Sequence, residues 1–193
     1  MSLNKYRTID LVIFTVIVSV LDVILLAISV NVINFYLRLY ISFSLPLIAM
    51  IYVRWHKYGL ISNVILMVVH TLAIYFLTGM NLEGFLGGLA NGLSLGFIAL
   101  TLWWIYYLKK NANSYNIGNV TILYLAIYLL MWGSEYGLNV LFGNETSIIA
   151  YALFHLLNLF LGYGIMLLVL KTKGLFIYQI EYLLSIQKRE KND

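Results

Sequence analysis

The sequence predicts an all-α integral membrane protein, a bundle of six transmembrane helices with both termini cytoplasmic and a C-terminal amphipathic helix. Three observations carry this expectation. Of 193 residues, 62% are hydrophobic and 10% charged, and the mean hydropathy is +0.90, well outside the composition of soluble domains. The apolar residues form long runs of Leu, Ile, Val, Phe and Tyr with one proline in the whole chain, the pattern of helical spans and not of alternating ~10-residue barrel strands. The cationic residues fall almost entirely on one side of those runs.

Spans of ~20 apolar residues fit at about 10–30, 36–53, 59–78, 84–108, 118–142 and 147–170, so that residues 1–173 make the membrane domain and 174–193 a cytoplasmic tail. Lys5 and Arg7 precede the first span, Arg54 and Lys57 separate the second from the third, and Lys109 and Lys110 follow the fourth. Lys171, Lys173, Lys188, Arg189 and Lys191 follow the sixth, and Arg38 alone lies on the other side. The positive-inside rule then puts both ends in the cytoplasm. The net charge of +4 is explained by these topology residues, and no nucleic-acid partner is expected. The first run is too long for a signal-peptide core and no small-residue cleavage site follows it, so it is expected to stay in the mature protein.

The first span carries a ridge of small side chains, Thr15, Ser19 and Ala27 with Val23 between them, at the i, i+4 spacing that permits close helix approach. The fourth span repeats the device more strongly in Gly84, Gly88, Gly92 and Gly96, joined by Gly87, and the fifth carries Gly133-x-x-x-Gly137. Internal packing is the expected use of the glycines. After the sixth span, Gly174–Ile186 is too short to cross a membrane. Its Phe176, Ile180, Leu183 and Leu184 share a helical face ahead of Lys188-Arg189-Glu190-Lys191, which suits the cytoplasmic interface.

Against this apolar background the polar residues inside the spans are the functional signal. Met131–Asn139 interrupts the fifth span with a carboxylate, Glu135. An acidic side chain at a membrane-helix centre costs about 2.5–3.5 kcal/mol on translocon scales, and such groups face a bundle interior or a hydrated cavity. Trp132, Glu135, Tyr136 and Asn139 stand at i, i+3, i+4 and i+7, one face of one helix. Asp22, His70, Asn91, His155 and Asn158 lie at similar depth, in the middle or outer half of other spans. These nine residues are the candidate substrate-binding set, lining a cavity open to the outside.

The chain has no cysteine, so a thiol nucleophile, a disulfide framework and a zinc–cysteine site are excluded. A G-x-x-x-x-G-K-[ST] loop, a G-x-S-x-G elbow and an H-E-x-x-H pair do not occur in the sequence. Neither catalysis nor a cofactor is expected. His70, His155 and Glu135 would supply metal-binding atoms if they met, but intramembrane histidines more often hydrogen-bond a neighbouring helix, and no metal is expected. Asn144-Glu145-Thr146 matches the glycosylation sequon, a pattern short enough to arise by chance.

A short six-span chain with both ends inside, no ATP-binding motif and an outward polar pocket resembles the substrate-binding S components of energy-coupling factor (ECF) vitamin transporters. The resemblance is carried by Lys5-Tyr6-Arg7-Thr8-Ile9-Asp10, by Arg54-Trp55-His56-Lys57-Tyr58-Gly59, and by Gly174-Leu175-Phe176 with Tyr182-Leu183 in the tail. These stretches are similar to those of S-component-like proteins of Gram-positive bacteria. The resemblance implies a multi-pass protein of a bacterial cell membrane that captures a vitamin or related small molecule. It further implies a transmembrane T subunit and two cytosolic ATPase subunits as partners. Thr15, Ser19 and Ala27 then correspond to the alanine-x-x-x-alanine docking face that such chains offer the T subunit. The alternative function is that of an MreD-like membrane scaffold or assembly protein without a ligand.

Overall fold

The computed structural model describes residues 3–33, 42–110, 117–143 and 147–171, and every regular element among them is helical. In chain order these are α1 (Leu3–Ile28), α2 (Ser44–Trp55), α3 (Gly59–Leu77), α4 (Leu82–Ser94), α5 (Leu100–Lys110), α6 (Ile117–Leu141) and α7 (Ile148–Lys171). Five helical stretches are long and apolar enough to cross a membrane: Asn4–Asn31, Ser44–Leu77, Leu82–Tyr106, Ile117–Leu141 and Tyr151–Leu168. The second of these is folded back on itself. A 3₁₀ turn at His56–Tyr58 joins α2 to α3, and His56 takes the left-handed value φ 53° that lets the chain reverse. The tail beyond Lys171 and the sequon at Asn144 lie outside the described residues.

Neighbouring residues fix the helix directions. Asp10 meets Arg54 and Trp55, Thr15 meets Ser62, and Asp22 meets both Ser44 and His70, so α3 runs parallel to α1 and α2 runs against both. Thr71 contacts Gly88, which brings α4 back along α3. Thr121 meets Tyr163 and Tyr128 meets His155, which makes α6 and α7 antiparallel. Lys5, Arg7, Arg54, Lys57 and Lys171 therefore all belong to helix ends at one pole of the bundle.

Short α2 is the centre of the molecule. Its 12 residues span about 18 Å, and all but Leu47 are buried, with Ile48, Ala49, Ile51, Tyr52 and Val53 at 0% exposure. Around them pack Val18 of α1, Leu66 of α3, Ile98, Trp104 and Ile105 of the fourth pass, Leu123, Tyr124 and Ile127 of α6, and Met166 of α7. Helices exposed on one side carry Val, Ile and Leu outward, as in Val12, Val16, Ile61, Val64, Leu129 and Leu153. Outward apolar side chains suit a hydrocarbon solvent.

The α3–α4 seam is where the glycine stripe acts. A Cβ at Gly88 would stand 2.6 Å from the Thr71 carbonyl oxygen, and one at Gly92 2.8 Å from that of Met67, so the two backbones touch only because both side chains are hydrogen. Gly133 and Gly137 behave differently from expectation. Nothing among the described residues comes within 4 Å of a Cβ built at either, or at Gly87, so this spacing in α6 does not mark an internal contact.

The fourth pass, expected as one helix over 84–108, is broken by a 3₁₀ segment at Leu95–Ala99. Two side chains preceding the break bond their own helix: Asn91 Nδ2 donates to Gly87 O, and Ser94 Oγ donates to Asn91 O. Such back-bonding competes with the backbone ladder and bends helices. Helix α1 begins earlier than the apolar run because Asp10 is neutralised: Arg54 Nη2 lies 3.0 Å from Asp10 Oδ2 and 3.1 Å from Oδ1, and the Trp55 indole donates to the same carboxylate.

Candidate functional site

Two carboxylate–imidazole pairs lie inside the bundle, and their geometries differ. In the first, His70 Nδ1 is 2.7 Å from Asp22 Oδ2, and both side chains are 1% exposed. The other Asp22 oxygen accepts from Ser44 Oγ at 2.6 Å, with Ser42 Oγ at 3.4 Å. Ser42 also donates from Oγ to Ser44 Oγ, and from its backbone N–H to Asn158 Oδ1 at 2.7 Å. A buried carboxylate with this many donors is closed: its lone pairs are committed to α2 and α3.

In the second pair, His155 Nε2 stands 3.6 Å from Glu135 Oε1, outside hydrogen-bond range. Glu135 is 6% exposed, and no hydrogen bond to its carboxylate is formed among the described residues. It lies within electrostatic reach of His70. The open pair faces a cavity of about 30 Å³, whose polar lining is Ser42, Asn91, Ser94, Tyr124, Tyr128, Trp132, Glu135, His155 and Asn158, with Leu45, Pro46, Leu95 and Met131 completing the wall. A space of this size holds one or two waters. Helix α6 positions the carboxylate by its period: Tyr124, Tyr128, Met131, Trp132 and Glu135 fall on one stripe at i, i+4, i+7, i+8 and i+11.

Three hydroxyls of this lining, and one N–H of the Asn91 amide, donate to main-chain carbonyls. Tyr124 Oη donates to Asn158 O at 3.1 Å, Tyr128 Oη to His155 O at 2.7 Å, Ser94 Oγ to Asn91 O, and Asn91 Nδ2 to Gly87 O. The three hydroxyls are left with lone pairs, and the Asn91 amide with one N–H and its oxygen.

Of the nine residues expected at the site, Asn91, Trp132, Glu135, His155 and Asn158 meet at this cavity. Asp22 and His70 form the closed pair beside it, joined to Asn158 through Ser42 and Ser44. Tyr136 stacks against Trp132 at 6.4 Å between ring centroids and packs against Tyr151 at 5.5 Å. Asn139 Nδ2 donates to the Glu135 carbonyl of its own helix. Neither Tyr136 nor Asn139 lines the cavity. A face defined by i, i+3, i+4 and i+7 is over 100° wide, and one neighbouring cavity occupies only part of it.

Sequence reasoning missed Ser42, Ser44, Ser94, Tyr124 and Tyr128. The signal for the tyrosines was present, since Tyr124 and Tyr128 extend the Trp132 and Glu135 stripe by two turns. Of the docking ridge, Thr15 is used inside the bundle, sharing a 2.7 Å hydrogen bond with Ser62 of α3. Ser19 lines an apolar groove of about 390 Å³ between α1 and α3, and its Oγ is buried with no partner among the described residues. Ala27 is half-buried. Among the described residues no group of three or more His, Asp or Glu side chains is arranged to hold a metal.

No protein-family model, curated protein or solved structure matches this chain.

Proposed function

We propose that this chain is the membrane-embedded substrate-binding subunit of an ECF-type importer in a bacterial cell membrane, crossing six times with both termini in the cytoplasm. The antiparallel course of α2 between α1 and α3 supports six crossings, and the gathering of cationic helix ends at one pole supports the orientation. The single observation that carries a binding role is Glu135: a carboxylate more than nine-tenths buried, without a hydrogen bond among the described residues, against a cavity. Burial of such a group is costly unless something else occupies its lone pairs. The Ser19 groove supplies a face for a transmembrane T subunit, with two cytosolic ATPases completing the importer.

Ligand pockets measure roughly 300–1,000 Å³, and the cavity here is about 30 Å³. Capture of a whole vitamin therefore requires an opened state in which α6 and α7 separate from Ser42 and Pro46. The small volume favours one competing reading, an MreD-like scaffold in which the polar groups only bridge helices.

Native mass spectrometry of the detergent-solubilised protein, combined with one variant, tests the proposal. A small molecule should co-purify, and Glu135→Gln should weaken its binding by roughly 1.5–3 kcal/mol while leaving the melting temperature near that of the parent. Unchanged affinity with a lowered melting temperature would assign Glu135 to helix bridging and favour the scaffold.

A further inference from the structure

The polar cavity shares part of its wall with a second space. Three of its lining residues, Tyr128, Trp132 and His155, also line a second space of about 190 Å³ on the outer side of α6 and α7, completed by Leu129, Ala152, Leu156 and Leu159. This groove is apolar, and Leu129 and Leu156 are exposed on it. Apolar grooves are ordinary on a surface facing lipid. One that shares three side chains with a polar cavity holding a carboxylate, itself without a hydrogen bond among the described residues, is not.

We infer that the site takes an amphiphilic primary amine, with its ammonium group in the cavity against Glu135 and a single short chain or ring in the α6–α7 groove. The inference rests on the ligand-capture reading and narrows its substrate class.

The cavity chemistry selects the head. Glu135 offers a carboxylate with no hydrogen bond among the described residues, and Ser94, Tyr124 and Tyr128 have given their hydrogens to carbonyls, leaving acceptors, as does the side-chain oxygen of Asn91. A primary ammonium brings three donors and one positive charge to such a set, and the rings of Tyr124, Tyr128 and Trp132 add faces favourable to a cation. The donors of the lining are the Asn158 and Asn91 amides, the Trp132 indole and the His155 imidazole, and the carboxylate among them opposes an anion. The His155 imidazole stands 3.6 Å from the Glu135 oxygen. The cationic helix ends of the described chain lie at the opposite pole. Among the described residues, a phosphate beside Glu135 would thus meet a carboxylate and no lysine or arginine, which disfavours a phospholipid headgroup as the occupant. Groove size selects the tail, since 190 Å³ suits one short chain and not a pair of acyl chains.

The test uses the full chain in phosphatidylcholine nanodiscs, titrated with octylamine, octan-1-ol, octanoate and methylammonium chloride, with saturable binding read by calorimetry and by quenching of tryptophan fluorescence. Octylamine should bind about tenfold tighter than octan-1-ol, as expected for one charge-assisted contact, and octanoate should bind weakest. Glu135→Gln should bring octylamine and octan-1-ol to near parity. Ala152→Phe, which fills the groove and leaves the cavity lining intact, should weaken octylamine about tenfold and leave methylammonium unchanged. Parity in the parent protein, a preference for octanoate, or a preference for octylamine that survives Glu135→Gln would overturn the inference. So would loss of octylamine binding when phosphatidylethanolamine replaces phosphatidylcholine, because a lipid headgroup would then be the occupant. A neutral or anionic compound that co-purifies and depends on Glu135 would remove the amine and keep the capture reading. Absence of both a co-purified ligand and any saturable probe would remove both.

Discussion

Asp22 Oδ2 lies 2.7 Å from His70 Nδ1 across the α1–α3 interface, and both side chains are buried to 1% exposure. The pair ties two parallel helices at the depth where Glu135 and His155 stand 3.6 Å apart, so one bundle contains a hydrogen-bonded carboxylate–imidazole pair and a looser one.

Removing one member of a buried pair leaves the other without compensation and costs about 3–5 kcal/mol. Asp22→Asn is therefore expected to lower stability by that amount in a detergent denaturation series. The double variant Asp22→Asn with His70→Leu should cost less than the sum of the singles, because the two groups interact directly. Full additivity would show that the short distance carries no coupling.

Glu135→Gln should behave in the opposite way. With no hydrogen bond to lose among the described residues, it is expected to change unfolding free energy by less than about 1 kcal/mol, in the same denaturation series. A loss comparable to that of Asp22→Asn would mean that Glu135 is a structural partner.

The glycines separate by neighbour. Gly88→Leu drives a side chain into the Thr71 carbonyl and should destabilise by about 1–3 kcal/mol or more through overpacking. Gly133→Ala, with no neighbour within 4 Å, should be neutral or stabilising by up to about 1 kcal/mol through helix propensity. Melting curves of the two variants check the assignment of the α3–α4 seam.

Docking on the α1–α3 groove is best probed at Ser19, because Thr15 is bonded to Ser62 and its replacement would disturb the fold. Ser19→Leu is expected to leave ligand affinity and melting temperature unchanged and to abolish co-purification with a T subunit. Retained assembly would place the docking face elsewhere.

Orientation is open to labelling because the chain has no cysteine of its own. Met80→Cys, in the exposed α3–α4 turn, should react with an impermeant thiol reagent in intact cells, and Lys57→Cys, at the cationic pole, should not. The reverse pattern would invert the topology and turn the Glu135 cavity toward the cytoplasm.

The sequence by itself determined the helical secondary structure and which intrahelical groups are costly to bury. Composition suits a hydrocarbon environment, and within it backbone bonds close inside each segment, so long apolar runs are helices whatever surrounds them. That is why the boundaries expected at about 59–78, 118–142 and 147–170 lie within two residues of α3, α6 and α7. It is also why Asp22, His70, Asn91, Glu135, His155 and Asn158 were legible as a set: burial cost belongs to residue type and position along a helix. Pairing is a property of rotation and distance between helices, which no single run encodes. Only the tertiary structure placed Lys5–Asp10 against Arg54–Gly59, through the contacts of Asp10 with Arg54 and Trp55, and of Arg7 with the Tyr58 ring at 3.7 Å. It alone set α2 at the centre and assigned the α4 glycines, and not those of α6, to a helix seam. The same two residue types, a carboxylate and an imidazole, were given a closed geometry at Asp22 and His70 and an open one at Glu135 and His155. A difference of 0.9 Å between the two pairs, 3.6 against 2.7 Å, is set by the distance between helices, α6 to α7 in one case and α1 to α3 in the other, and it separates a hydrogen-bonded pair from one that is not.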